Sequence, residues 1–309
     1  MEAEYDVIIL GAGAAGLSAG LYTCRAMLKT LILEGLGAGG QILITDEIDN
    51  YPGFAQGIKG PELAKAMEEQ TLRFGAKLEY AQVEGVDDLD QPVKVVHTDD
   101  RDYTAKTIII ATGGSHNKLV VPGEDEYSGR GVSYCAVCDG NFFRGQDVVV
   151  VGGGDAALDE GYYLSGIVNS VTVVHRRDEL RATRILQERA FASPKFKFLW
   201  STVVQEFVGN EVLEAARVKD MKTGKVYDYP TAAAFIYVGF HPNSDYLKSK
   251  LGLDPVGHVP TDINMLTKIP GVFACGDIRV DSTRQLGAAV GDGITAALSA
   301  YHYLTEGSH

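Results

Sequence analysis

Apolar positions along the chain fall into short β-branched runs placed just before glycine-rich turns, and into a few longer stretches with helical spacing. Tyr5 to Leu10 reads Tyr-Asp-Val-Ile-Ile-Leu, and Val148 to Val151 is unbroken valine; both suit strands buried on two faces. Leu31 to Leu33, Val171 to Val174 and Ala232 to Val238 read as further strands, and the segments from Lys77 to Ile110 alternate as short ones. Pro61 to Phe74 has the spacing of an amphipathic helix, and Arg284-Gln285 opens a long apolar helix to about Tyr303. Strands alternating with helices in this way predict an α/β fold.

The first strand runs straight into Gly11-Ala12-Gly13-Ala14-Ala15-Gly16, and the second, Leu31 to Leu33, ends in Glu34. Gly11 permits a tight turn, Gly13 lets backbone approach a pyrophosphate, and Gly16 lets the following helix pack closely. Glu34 falls where a ribose 2′-hydroxyl is gripped, so the nucleotide expected here lacks a 2′-phosphate. A Gly-rich structural turn is the plainer reading of the same residues.

That pattern occurs twice. Gly152-Gly153-Gly154-Asp155-Ala156-Ala157 follows Val148 to Val151 at a constant offset of 141 residues from the first loop, and the offset carries Glu34 onto His175. The acid is replaced by His175-Arg176-Arg177, followed by Arg181. Guanidinium groups at that point would pair with a 2′-phosphate, which turns the expectation from NADH to NADPH. A solvated basic helix start is the alternative. The second unit lies inside the first: the polar stretch Ser115 to Lys118 leads in, and Gly239-Phe240-His241-Pro242-Asn243 leads back. The fold class expected is therefore α/β with two Rossmann-like, three-layer ββα dinucleotide-binding domains, the second inserted into the first. The boundaries expected are 1–115 and 245–309 for the outer domain and 116–244 for the inserted one.

Composition narrows the possibilities. With 309 residues, 45% of them hydrophobic, the chain can bury two cores, and its apolar runs are strand-sized, so no membrane span is expected. The start Met1-Glu2-Ala3-Glu4 is acidic where a signal peptide is basic, which favours a cytoplasmic address. A net charge of −13 argues against nucleic acid as a main partner.

Candidate chemistry centres on Tyr134-Cys135-Ala136-Val137-Cys138-Asp139-Gly140. Two thiols at this spacing can close a reversible disulfide, with a carboxylate beside them to move a proton. Half a zinc site and an inert turn are the other readings. Cys24 and Cys275 stand alone in apolar segments, and the histidines form no constellation, so no metal site is expected.

Taken together, Gly11 to Gly16, Gly39-Gly40-Gln41, Asp49-Asn50-Tyr51-Pro52-Gly53, Ala111-Thr112-Gly113, Cys135 to Gly140, Gly152 to Ala157, His175-Arg176-Arg177, Cys275-Gly276-Asp277 and Arg284-Gln285 give a close resemblance. The chain resembles the low-molecular-weight thioredoxin reductases, pyridine nucleotide-disulfide oxidoreductases of class II, over essentially its whole length. The resemblance implies FAD held by Gly11, Gly13, Ala14, Ala15, Gly16, Glu34, Gly40, Gln41, Asn50, Val83, Ala111, Thr112, Gly113, Gly276, Asp277, Arg284, Gln285 and Leu286. It implies NADPH held by Gly152, Gly154, Asp155, Ala156, Ala157, His175, Arg176, Arg177 and Arg181. Hydride would pass from NADPH to FAD and on to a Cys135–Cys138 disulfide, with rotation of one domain between the half-reactions. Cys138 would face the flavin, Cys135 would attack the disulfide of a thioredoxin, and Asp139 would handle the proton; a homodimer is implied as well. Ala156 departs from the family pattern, where a Ser or Thr often offers the pyrophosphate a hydroxyl, and Val137 replaces a frequent Thr. Two other functions fit the same residues: a ferredoxin-linked or other-substrate flavin disulfide reductase, and a flavin redox sensor without turnover.

Overall fold

The computed structural model describes residues 2–45, 47, 48, 50–247 and 250–306, so Asp49 of the Asp-Asn-Tyr-Pro-Gly stretch and the last three residues lie outside the described residues. In chain order the outer unit begins with β1 (Tyr5–Leu10), α1 (Ala14–Arg25), β2 (Thr30–Glu34), α2 (Gly60–Arg73), β3 (Lys77–Tyr80), β4 (Val83–Asp87), β5 (Lys94–Thr98) and β6 (Asp102–Ile110). The inserted unit supplies β7 (Val132–Ser133), α3 (Ala136–Asp139), β8 (Asp147–Gly152), α4 (Asp155–Ser165), β9 (Ser170–Val174), α5 (Arg184–Ala192) and β10 (Phe196–Leu199). It continues with β11 (Thr202–Gly209), β12 (Leu213–Asp220), β13 (Val226–Pro230) and β14 (Ala233–Tyr237). The return to the outer unit adds β15 (Val272–Ala274) and α6 (Leu286–Glu306).

The outer sheet runs β3-β2-β1-β6-β5-β4, with β15 also paired to β6. Strands β3, β2, β1, β6 and β15 are parallel, whereas β4 and β5 pair antiparallel at one side. Side chains alternate across a strand, so β1 feeds two cores. Ile8 and Leu10 enter one with Leu31, Val96 and Tyr103; Val7 and Ile9 enter the other with Leu17, Ala296 and Ala300 of α1 and α6.

In the inserted unit a fully parallel sheet, β7-β14-β8-β9-β10, carries the same logic. Val148 and Val150 pack with Leu158 and Leu164 of α4, while Val149 and Val151 pack with Val204, Phe207 and Val218 of the antiparallel sheet β11-β12-β13. Helices, parallel sheet and antiparallel sheet are thus three layers, in the expected ββα order. The sheet β11-β12-β13 itself has no counterpart in the sequence reading.

The units comprise residues 1–115 with 241–309, and residues 116–240. The return crossing falls at 240/241, a few residues before the expected 244/245, because Asn243 already belongs to the outer unit: its amide donates to Gly113 O at 3.0 Å and its side chain to Thr112 O at 2.8 Å. On the other side of the crossing, Asn117 N–H donates to Gly239 O at 3.0 Å. The two crossing segments, Gly114–His116 and Phe240–Pro242, therefore pair as a short ribbon.

Candidate active site

In the outer unit the turn after β1 has Gly11 at φ 101°, and a Cβ there would lie 2.6 Å from the Ala111 carbonyl oxygen. A Cβ on Gly16 would collide with the Gly11 carbonyl oxygen. Gly13, the N-cap of α1, is different: a Cβ on it meets nothing within 4 Å. Space is left open there, at a helix N-terminus whose amides lack partners, and a phosphate fits such a place. Glu34 accepts from Ala12 N at 2.7 Å through one oxygen and from Leu36 N at 3.0 Å through the other. A carboxylate has lone pairs to spare, so a hydroxyl can still donate to it.

The second loop repeats the device with one exchange. Gly152 and Gly154 stand as Gly11 and Gly13 do, and Gly154 again leaves open space at the N-terminus of α4. His175, which is 5% exposed, lays its ring against Gly153, where any Cβ would collide with it. Its Nε2 bonds to Glu179 O at 2.9 Å, which fixes the turn that carries Arg176 and Arg177 into solvent. Arg181 and Ala182 donate their amides to Gly153 O at 2.7 and 3.1 Å, and Thr183 N donates to Asp155 Oδ1 at 2.5 Å. The loop is therefore sewn to the segment bearing Arg181. Among the cationic residues expected at NADPH, the three arginines are exposed and His175 is a buried support for the loop.

Cys135 and Cys138 are joined in a disulfide at the start of α3. Cys135 is the N-cap, its sulfur accepting from Cys138 N at 3.2 Å; Asp139 ends α3 and accepts from Ser133 Oγ at 2.6 Å. Ser133 in turn accepts from Cys135 N at 3.1 Å. Ala136 N donates to Tyr237 Oη at 2.8 Å. Tyr134 stacks on His116 and donates to Glu124 Oε1 at 2.8 Å. Glu124 is 2% exposed and also accepts from Leu119 N and Val120 N at 2.9 and 2.7 Å, tying the irregular segment after the entry crossing to the residue before the dithiol. Among the described residues no group of His, Cys, Asp and Glu could hold a metal, and the free Cys24 and Cys275 are buried.

Residues 5–293 match the family model described as pyridine nucleotide-disulphide oxidoreductase. The chain belongs to that family. Within it, the chain is 46% identical to the thioredoxin reductase of Peptoclostridium acidaminophilum across 98% of both chains. It is 47% identical to that of Bacillus subtilis, across 99% of this chain and 96% of the relative. The solved structure of the Streptococcus pyogenes thioredoxin reductase, 47% identical, superposes with a TM-score of 0.94 over 98% of each chain. That of Lactococcus lactis, in a form described as the FR conformation, is 46% identical with a TM-score of 0.66 over 98% of this chain and 100% of the other.

Other residues expected at a dinucleotide of this pyridine nucleotide-disulphide oxidoreductase lie in the outer unit. Gln41 Nε2 donates to Gly114 O at 3.2 Å, Asn50 Nδ2 donates to Gln285 Oε1 at 3.2 Å, and Leu286 starts α6. Gly276, at φ 75°, packs its backbone on Ala15, while Asp277 accepts from Ser282 Oγ at 3.1 Å. Burial pushes the Asp277 carboxyl above its ordinary range. Ala111 continues the sheet, donating to Leu10 O at 2.8 Å, and Gly113 takes φ 59°. Val83 opens β4 opposite Thr98. Asp292, which no motif in the sequence marks, holds this region together: it pairs with Arg279 Nε at 2.6 Å and accepts from Gly276 N at 3.1 Å. No motif marks Tyr237 or Glu124 either, and the one signal for Ser133 is its position two residues before Cys135.

Proposed function

We propose that this chain is an FAD-containing, NADPH-dependent thioredoxin-disulfide reductase. The observation that carries the reading is the Cys135–Cys138 disulfide, with Asp139 hydrogen-bonded beside it, in the unit whose glycine loop is flanked by Arg176, Arg177 and Arg181. The outer loop, with Glu34 and the open space at Gly13, suits FAD, and the inserted loop, with the open space at Gly154, suits NADPH. FAD, when bound, supplies two-electron transfer between the nicotinamide and the disulfide.

The chain's own residues do the rest. Arg176, Arg177 and Arg181 neutralise a 2′-phosphate, and His175 holds the turn that presents them. Opening the disulfide with two electrons leaves two sulfurs that need up to two protons; Asp139 delivers one and Ser133 Oγ orients that carboxyl at 2.6 Å. Cys135 then attacks the disulfide of a thioredoxin, and Cys138 resolves the mixed disulfide by re-forming the internal bond. Rotation of residues 116–240 about the crossing ribbon would present nicotinamide and disulfide in turn. Two relatives of nearly equal identity whose whole-chain TM-scores are 0.94 and 0.66 support a family fold with more than one arrangement of its units. No described helix is long and apolar enough to cross a membrane. A cytoplasmic homodimer that acts on no nucleic acid completes the proposal.

Anaerobic titration of the FAD-loaded protein, following flavin absorbance, tests it. Bleaching by NADPH at far lower concentration than by NADH, with colour restored by oxidised thioredoxin, is expected. Bleaching by dithionite but by neither nucleotide would overturn the NADPH reading and move a ferredoxin-linked reductase or a sensor to the front.

A further inference from the structure

One carboxyl beneath the dithiol has no part in the chemistry above. Glu160 lies on α4, which packs against α3, and its Oε2 is buried with no hydrogen-bond partner. The Ala136 amide, next in the chain after Cys135, donates to Tyr237 Oη at 2.8 Å and also acts on the Glu160 carboxyl. A buried carboxylate oxygen without a donor is costly, whereas a protonated carboxyl supplies its own hydrogen. Burial, then the charge of Asp159 next to it, raise the acid's pKa, and the Ala136 amide offsets part of this.

We infer that Glu160 is a positioning residue that sets the charge beside the Cys135–Cys138 pair: neutral, it permits a thiolate on Cys135; ionised, it opposes one. The inference rests on the redox role proposed for this dithiol. Two electrons that cleave the S–S bond yield two thiols if two protons follow, or a thiol and a thiolate if one does. The charge on Glu160 biases that choice through the shared Ala136 amide. The ionisable groups that act on or are acted on by Glu160 are Asp159 on its own helix and Tyr237 on β14; α3, with Cys135 as its N-cap and Cys138 and Asp139 within it, packs against α4. On α5, which also packs on α4, Arg184 pairs with Glu188, and neither they nor Arg189 act on Glu160. Of the strands against α4, β9 has no ionisable residue, and Asp147 of β8 is bound to Asn169 and Ser170.

The test is the pH dependence of Cys135 alkylation by iodoacetamide, read by mass spectrometry on the FAD-loaded protein after reduction with dithiothreitol. Only the thiolate reacts, so the rate reports its population. Wild type should rise with pH over a broadened curve, because Glu160 ionises while Cys135 does. Glu160→Gln should follow a single ionisation centred lower, and react roughly threefold or more faster near pH ~8, since each unit of pKa is worth about tenfold. Glu160→Asp should retain the broadened shape. Tyr237→Phe frees the Ala136 amide for the Glu160 carboxylate, so its curve should move the opposite way, to higher pH; this arm stands even where Glu160→Gln fails to retain FAD. Superimposable curves for wild type and Glu160→Gln, or an unmoved curve for Tyr237→Phe, overturn the inference. A parallel arm with NADPH in place of dithiothreitol tests the redox role separately: no alkylation there sinks that role while the dithiothreitol comparison still decides on Glu160.

Discussion

Glu34 and His175 occupy matched positions 141 residues apart, and each braces its own loop: Glu34 by accepting from Ala12 N, His175 by filling the space over Gly153. The repeat made both legible in the sequence, yet only the structure shows that His175 supports the arginines from behind. Glu160, Tyr237 and Ser133 were not legible, because their contacts with the dithiol come from tertiary packing and no spacing rule connects residue 237 to residue 136. At Asp139 the hydrogen bond from Ser133 predicts a specific failure. Asp139→Asn keeps a partner for Ser133 but carries no transferable proton, so turnover with a disulfide substrate should fall at least about tenfold with little change in KM. Steady-state kinetics at several pH values check it. Asp277 makes a contrary prediction about stability. Its carboxyl is held above the ordinary range by burial, so the folded state binds the proton more tightly than the unfolded chain. Stability of the FAD-free protein should then fall as pH rises from the unfolded value through the folded one. Asp277→Asn should raise the thermal midpoint of the FAD-free protein at neutral pH and weaken its hold on FAD, both measurable by melting with and without cofactor.

At the scale of elements, the sequence was most informative where a strand is apolar on both faces. Val148 to Val151 announced β8 because each valine feeds one of two cores, whereas β13, exposed or half-exposed along its length, gave no such signal. The glycine loops allow one substitution to separate folding from binding. Gly16→Ala places a methyl on the Gly11 carbonyl oxygen and should cost several kcal/mol, seen as loss of folded protein. Gly154→Ala meets nothing within 4 Å, so stability should change by less than about 1 kcal/mol. The added methyl does occupy the space left for a pyrophosphate, and NADPH affinity should fall about tenfold or more while FAD is retained. Equal losses of stability in the two variants would contradict this account of the loops.

For the whole molecule, the internal repeat and the insertion of one unit in the other were readable from residue spacing alone, and the exact return point was not, because it depends on how Asn243 bonds to Thr112 and Gly113. The pairing of the two crossing segments has a further effect. The outer unit holds Ser115 and Asn243 together by its own hydrogen bonds, at 3.3 Å between their side chains. To that unit, residues 116–240 are a closed loop whose ends are already joined, and the cost of holding a loop closed grows only with the logarithm of its length, so an unfolded insert places little strain on the host. Melting of the insert therefore need not melt its host. Calorimetry of the FAD-loaded protein should resolve two transitions, the yellow colour should outlast NADPH oxidation on heating, and limited proteolysis near the lower transition should cut within 116–240 first, leaving a nicked protein that still carries its flavin.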